Sequence, residues 1–214
     1  MIIHDWIVNN LSKTGIVIEA GTYDGTDTIL LAKHLNEGKI YGFEPVQSLY
    51  NKTIIKTKDY NNIKMFNLAL SDKTEETTIY ISTSSMNIEN IQGSSSLLKP
   101  KDHISRYPEI TFNKAEIVKC INLDEWYISY CNKEIIELLW LDIQGAEPKV
   151  LKNAPNILKN TKYIYTEFSI IELYEGVDLY DKYISFLNDN GFIVIDEERW
   201  TDSGNVLLKN TNLI

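Results

Sequence analysis

Short, continuous apolar runs alternate with stretches of helical period along most of the chain. The first run, over 16–20, ends at a glycine and is followed by a helical pattern over 26–35, which predicts a buried strand and then a helix. The same rhythm predicts a strand over 40–43 with a helix over 46–56, then a strand over 64–68 leading to a turn at Ser71, Asp72 and Lys73. Three parallel strands in the first third follow from it. Residues 77–82 alternate as a strand does, whereas 83–113 mix serines with Gly93, Pro100 and Pro108 without a sustained period, the composition of a long loop or lid. Beyond it the pattern predicts strands over 117–121, 138–142 and 163–168 and helices over 123–130, 147–158 and 179–190. Two last strands, over 192–196 and 205–208, flank an acidic turn of hairpin length, so one strand at the sheet edge is expected to run antiparallel. With no internal repeat or low-complexity linker, one domain over 1–214 with a lid or insertion at 83–115 describes the chain.

Apolar residues fill 43% of the 214 positions, enough for a packed core, which excludes global disorder. A formal net charge of −9 argues against nucleic acid or an anionic membrane surface as a partner. The opening stretch carries His4, Asp5, Asn9 and Asn10 among its apolar residues and so lacks the basic start and unbroken run of a signal peptide. No window approaches the roughly 18 apolar residues that cross a bilayer, so no membrane insertion is expected. Cys120 and Cys131 have neither a partner pair nor a histidine at ligand spacing; they read as reduced, partly buried thiols of a cytoplasmic protein. Oligomeric state leaves no mark in the pattern.

The sharpest local feature is the turn from Glu19 to Gly25, where the first strand ends. Gly21 and Gly25 let backbone approach a ligand closely, in Gly-x-x-x-Gly spacing rather than the Gly-x-Gly-x-x-Gly of pyrophosphate binders. Glu19, Asp24 and Asp27 crowd the turn, a setting that repels a phosphate and suits a cation. Glu44, in Phe43-Glu44-Pro45, stands about 20 residues beyond the glycine turn, the distance of a ribose-binding acid, with two oxygens for two hydroxyls. Alone, the glycines make a tight turn and Glu44 is an exposed acid before a helix-starting proline; together they favour a nucleoside site. Asn67 or Asp72 then stands where an adenine amine would be read, although turn formation explains Asp72 equally well. Asp142 ends a central strand, where open α/β sheets hold their ligands, and is equally a candidate helix cap. Glu167 ends the next strand and His103 lies in the lid, which makes both candidates for proton transfer beside Asp142, with solvated surface roles as the alternative. Asp142 and Glu167 alone are too few for a hard cation that wants about six oxygens, so no metal is expected.

In order, Val17-Ile18-Glu19-Ala20-Gly21-Thr22-Tyr23-Asp24-Gly25, Tyr41-Gly42-Phe43-Glu44-Pro45, Leu123-Asp124 and Leu141-Asp142-Ile143-Gln144-Gly145-Ala146-Glu147 resemble the motifs of the FkbM-type methyltransferases. The resemblance runs from about Ile16 to Leu208, and its most specific part is the block from Asp142 to Glu147. It implies an α/β fold of the class I methyltransferase (Rossmann-like) type: a seven-stranded sheet, mostly parallel with an antiparallel terminal strand, and helices on both faces. A terminal hairpin after parallel strands agrees with this, since a dehydrogenase sheet is parallel throughout. The resemblance further implies S-adenosyl-L-methionine as methyl donor and a hydroxyl of a sugar, glycan or natural product as acceptor. The donor site expected from motifs and strand ends comprises Glu19, Gly21, Thr22, Asp24, Gly25, Glu44, Pro45, Asn67, Ala69, Asp72 and Asp142, with Asp142, Glu167 and His103 as catalytic candidates. Gln144 departs from the family, which usually has Glu there, and leaves no acid at that position. Two other readings share part of the pattern. A nicotinamide-dependent oxidoreductase also joins a glycine turn to a distant acid, but the third-glycine spacing and a Tyr-x-x-x-Lys pair are missing; a catalytically silent nucleotide-binding module is kept open by Gln144.

Overall fold

The computed structural model describes residues 3–84 and 92–214. Helix α1 (Ile3–Asn10) leads into β1 (Ile16–Ala20), α2 (Thr26–His34), β2 (Lys39–Phe43), α3 (Gln47–Thr57) and β3 (Ile63–Phe66). There follow β4 (Ala69–Ser71), β5 (Glu76–Ser84), α4 (His103–Arg106), β6 (Ile110–Asn122) and α5 (Leu123–Tyr130). The chain then runs through β7 (Ile136–Leu141), α6 (Glu147–Lys152), α7 (Pro155–Lys159), β8 (Thr161–Ser169), α8 (Tyr180–Asp189), β9 (Phe192–Arg199) and β10 (Ser203–Asn210).

Seven strands form the main sheet in the order β3-β2-β1-β7-β8-β10-β9, with β10 antiparallel to both of its neighbours. The central strands β1 and β7 bury every residue, because helices cover both faces. Alternation divides their side chains. Ile16, Ile18 and Ala20 pack with Leu139 and Leu141 against residues of α5 to α8, whereas Val17, Leu138 and Trp140 meet Ile3 and Ile7 of α1, Leu31 of α2 and Leu35 just after it.

The terminal strand runs antiparallel as expected, but one place in from the edge: the hairpin folds back so that β10 lies between β8 and β9. Its backbone is thereby paired on both sides. Gly204 permits the fit, since a Cβ there would come within 2.3 Å of the Glu198 carbonyl oxygen and 2.5 Å of the Phe168 ring.

The strand expected over 117–121 is the end of β6 and does not join the main sheet. It pairs with β5 antiparallel and β4 parallel in a separate sheet ordered β4-β6-β5, whose apolar side covers Val46 and Leu49. The stretch read as loop or lid over 83–113 therefore contributes the end of β5, helix α4 and the start of β6, while 85–91 lie outside the described residues. The helix expected over 147–158 is broken into α6 and α7, because Pro155 has no N–H to donate and fits only a first turn. Cys120 and Cys131 are buried and unbonded. Among the described residues no helix is long and apolar enough to cross a membrane.

Candidate active site

The carboxyl ends of β1, β2 and β7 open on a cavity of about 420 Å³. That size suits a small organic ligand. Glu19, Gly21, Thr22, Asp24, Glu44, Pro45, Ala69 and Asp142, all expected at the donor site, line it. Gly21, at φ +84°, lets the ends of β1 and β7 close on each other; a Cβ there would lie 1.9 Å from the Asp142 carbonyl oxygen. The Asp142 N–H donates to the Ala20 carbonyl at 3.0 Å, which holds the two strand ends in register.

Glu44 is buried, and each of its oxygens accepts one backbone N–H: Oε2 from Tyr23 at 3.0 Å and Oε1 from Val46 at 2.9 Å. Burial pushes its carboxyl up to about 7 against these hydrogen bonds. The carboxylate is thus fixed in orientation while each oxygen retains acceptor capacity toward the cavity. Glu19 projects from the face of β1 opposite Ile18; burial, with the charges of Asp27 and Glu44 adding to it, pushes its carboxyl up to about 8. Glu19 Oε2 and Thr22 Oγ1 are buried without a hydrogen-bond partner, the condition of groups awaiting a ligand or solvent.

On the opposite wall Gln144 Nε2 donates to Asp142 Oδ1 at 2.7 Å and to Glu167 Oε2 at 2.9 Å, while its Oε1 accepts from Tyr174 Oη at 2.9 Å. Gln144 sits at φ +55°, a left-handed backbone that its neighbours hold in place: Ser96 Oγ donates to its carbonyl at 2.7 Å. Asp142 is open to solvent through the cavity, but protein surrounds it otherwise, and that confinement raises its carboxyl above the ordinary range. Glu167 is pushed well above it, by burial first and then by the charges of Asp142 and Glu147. Glu147, buried and raised to about 8 mainly by desolvation, accepts the Ile143 N–H at 2.7 Å and so takes the turn-capping role considered for Asp142. One oxygen each of Asp142, Glu147 and Glu167 lie within 4.8 Å of one another, the set among the described residues that could hold a cation.

Five expected site residues do not line the cavity: Glu167, which bonds to the lining Gln144, and four others. Gly25 has φ +77° and faces Thr53, whose Cγ2 would lie 2.8 Å from an added Cβ, so the turn itself calls for glycine there. Asn67 donates to the carbonyls of Glu44 and Pro45 at 2.9 and 3.1 Å, bracing the loop that carries the acid. Asp72 is turned away into an ion pair with Lys149 at 2.9 Å, which with other contacts lowers its pKa. His103 is buried among Tyr107, Phe112 and Tyr174, and desolvation lowers its pKa. Asp124, part of a family motif, accepts the backbone N–H of Asn156 and of Ile157, each at 2.9 Å, and thereby starts α7.

Residues that sequence reasoning passed over complete the cavity. His4 of α1 meets Asp27 of α2, an acid already noted at the turn, at 2.9 Å, and Trp140, Tyr165 and Asn205 form the wall beside them. Tyr165 packs edge-on against Trp140 with ring centroids 5.0 Å apart and also faces the cavity. Gln92, Gly93, Ser95 and Leu97, from the expected lid, cover the other end. The sequence signal for His4 was slight: it adjoins the apolar stripe of Ile3, Ile7 and Leu11.

Residues 19–194 match the Methyltransferase FkbM domain. Over 212 residues the chain is 30% identical to the 2-O-methyltransferase NoeI of Sinorhizobium fredii (strain NBRC 101917 / NGR234), a match covering 99% of this chain and 86% of that protein. Its fold is similar to that of the methyltransferase FkbM of Methylobacillus flagellatus KT, with TM-score 0.55 and 11% identity over 92% of this chain and 44% of that one. It is similar also to Aeropyrum pernix fibrillarin with natively bound S-adenosyl-L-methionine, with TM-score 0.53 and 15% identity over 92% and 67% of the two chains. The domain match spans most of the chain and includes the acid, glycine and Asp142 motifs that build the cavity: this chain belongs to the FkbM family of methyltransferases.

Proposed function

We propose that the protein transfers a methyl group from S-adenosyl-L-methionine to a hydroxyl of a neutral small molecule or glycan. Glu44 carries the reading. A buried carboxylate whose two oxygens are each held by a backbone N–H is prepared for the two hydroxyls of a ribose. From that point the apolar residues Val46, Leu49, Leu70, Ile79 and Leu97 give an adenine its slot, and Asp142 stands toward the other end. Glu19, Asp24, Asp27, Glu44 and Asp142 make a wall suited to a ligand with a positive centre, and the unpartnered Glu19 Oε2 fits the same donor.

When bound, the donor supplies a methyl carbon made electrophilic by its sulfonium. In-line alignment of acceptor oxygen, methyl and sulfur is worth up to roughly 7 to 11 kcal/mol in favourable cases, and the walls of the cavity provide that alignment. Asp142 orients the acceptor hydroxyl and takes its proton. Glu167, the member of the pair pushed furthest above the ordinary range, keeps its own proton and leaves Asp142 as the charged partner. The Gln144 amide, hydrogen-bonded to both carboxyls, supplies in place of a cation the positive edge they need, so the reaction is expected to need no metal.

Five acidic side chains, three of them besides the raised Glu19 and Glu44, and no Lys or Arg among the described lining residues oppose a polyanionic acceptor, as does the net charge of −9. The named activity of the 2-O-methyltransferase relative supports oxygen as the atom methylated. Incubation with methyl-tritiated donor and separate pools of neutral saccharides, polyols and total RNA tests the reading. Label is expected in a neutral hydroxyl compound; label in RNA, or failure of the protein to bind S-adenosylhomocysteine by calorimetry, would overturn it.

A further inference from the structure

The donor in this reading is a zwitterion at one end, and its carboxylate enters a cavity already lined by five acidic side chains. Among the described residues that line the cavity, one side chain, His4, can carry a positive charge. With the adenine at the apolar end beyond Glu44, the amino-acid tail extends the other way, toward Glu19, Asp27 and His4. The strands place these groups together. Glu19 of β1, Trp140 of β7 and Tyr165 of β8 pair in register across the sheet and so share the face covered by α1 and α2. His4 stands over that row with its ring centroid 6.5 Å from that of Trp140. Its Nε2 meets Asp27 Oδ1 at 2.9 Å, which fixes the ring. In the imidazolium form Nδ1 is a donor for a second group, and about two-fifths of the side chain is exposed, at 39%.

Resting on the donor reading of this cavity, we infer that His4, oriented by Asp27, binds the carboxylate of the donor's amino-acid tail. The ammonium of the same tail falls to the acidic groups around it, of which Glu19 has an oxygen without a partner. Helix α1 is thus a part of the donor site, and not only a cover for the sheet.

Calorimetric titration with two probes isolates the tail: S-adenosylhomocysteine, which has it, and 5′-methylthioadenosine, which keeps the nucleoside and lacks it. In His4→Ala the affinity for S-adenosylhomocysteine is expected to fall about tenfold, the size of a lost charged hydrogen bond at a partly exposed site. Affinity for methylthioadenosine stays within about twofold of the parent, and His4→Lys recovers part of the loss. Should His4→Ala melt well below the parent, His4→Gln, which keeps side-chain length without the charge, is read in its place. Unchanged affinity for S-adenosylhomocysteine overturns the inference, as does an equal loss for both probes. A parent protein that binds neither probe overturns the donor reading itself, and is distinguished by needing no variant at all.

Discussion

The backbone N–H of Tyr23 donates to Oε2 of Glu44 at 3.0 Å, so the glycine turn after β1 and the acid after β2 are one hydrogen-bonded unit. The acid therefore both shapes the turn and faces the cavity, and its loss is expected to be felt at both places. Glu44→Ala is expected to weaken S-adenosylhomocysteine by about 2 kcal/mol or more, a charged hydrogen bond removed. Titration calorimetry giving the parent affinity would remove Glu44 from the donor site.

The buried acids make stability depend on pH. Burial pushes Glu19 up to about 8 and Glu44 up to about 7, from an ordinary 4.5. A carboxyl whose folded pKa lies above its unfolded one holds its proton better in the folded state, so its contribution is complete below the unfolded value and is lost as pH rises through the folded one. The melting midpoint of the ligand-free protein is expected to fall between about pH 5.5 and about pH 8.5. A midpoint that rises over that interval would contradict the burial of these two carboxyls.

The two glycines of the turn differ in what they avoid. Gly21→Ala sets a Cβ 1.9 Å from the Asp142 carbonyl oxygen at φ +84° and is expected to cost about 3 kcal/mol or more. Gly25→Ala, at φ +77° against Thr53, is expected to cost about 1 to 2 kcal/mol and to leave donor affinity intact in the folded fraction. Denaturant midpoints with parallel titrations decide; a stable Gly25→Ala that no longer binds donor would return Gly25 to the ligand site.

Asp142→Asn keeps the shape of the side chain and removes its charge. Donor binding is expected to persist while methyl transfer slows about 100-fold or more, the worth of general-base help. Turnover at the parent rate with the accepted hydroxyl compound would place the base elsewhere. The rate of the parent is expected to be indifferent to chelator, because the Gln144 amide already serves Asp142 and Glu167; loss of activity restored by magnesium would make Asp142, Glu147 and Glu167 cation ligands.

Asp124 belongs to a family motif yet acts on the fold. Asp124→Ala strips acceptors from the N–H groups of Asn156 and Ile157 at the start of α7 and is expected to cost about 2 kcal/mol. Donor affinity at the parent value, beside a lowered melting midpoint, separates this role from a catalytic one.

The strands of the main sheet were legible because β1 and β7 are buried on both faces and so read as unbroken apolar runs between helical patterns. Gly21 and Glu44 were legible for a local reason as well: a turn after a strand and an acid about 20 residues on are distances along the chain. Strand membership is different, since pairing is a contact between distant segments; 117–121 reads as a strand in any sheet, and only the folded chain joins it to β4 and β5. Direction of a side chain is equally non-local. Asn67 and Asp72 stand at the expected level, but nearby carbonyls and Lys149 offered them partners away from the cavity. His103 was drawn by its ring into an aromatic cluster, whereas His4, with little in its neighbours to single it out, reached the cavity because α1 packs on the sheet beside α2 and brings it to Asp27. Chain-local spacing specified the frame and the buried acid after β2; packing of separate elements decided which imidazole and which carboxylates share the cavity.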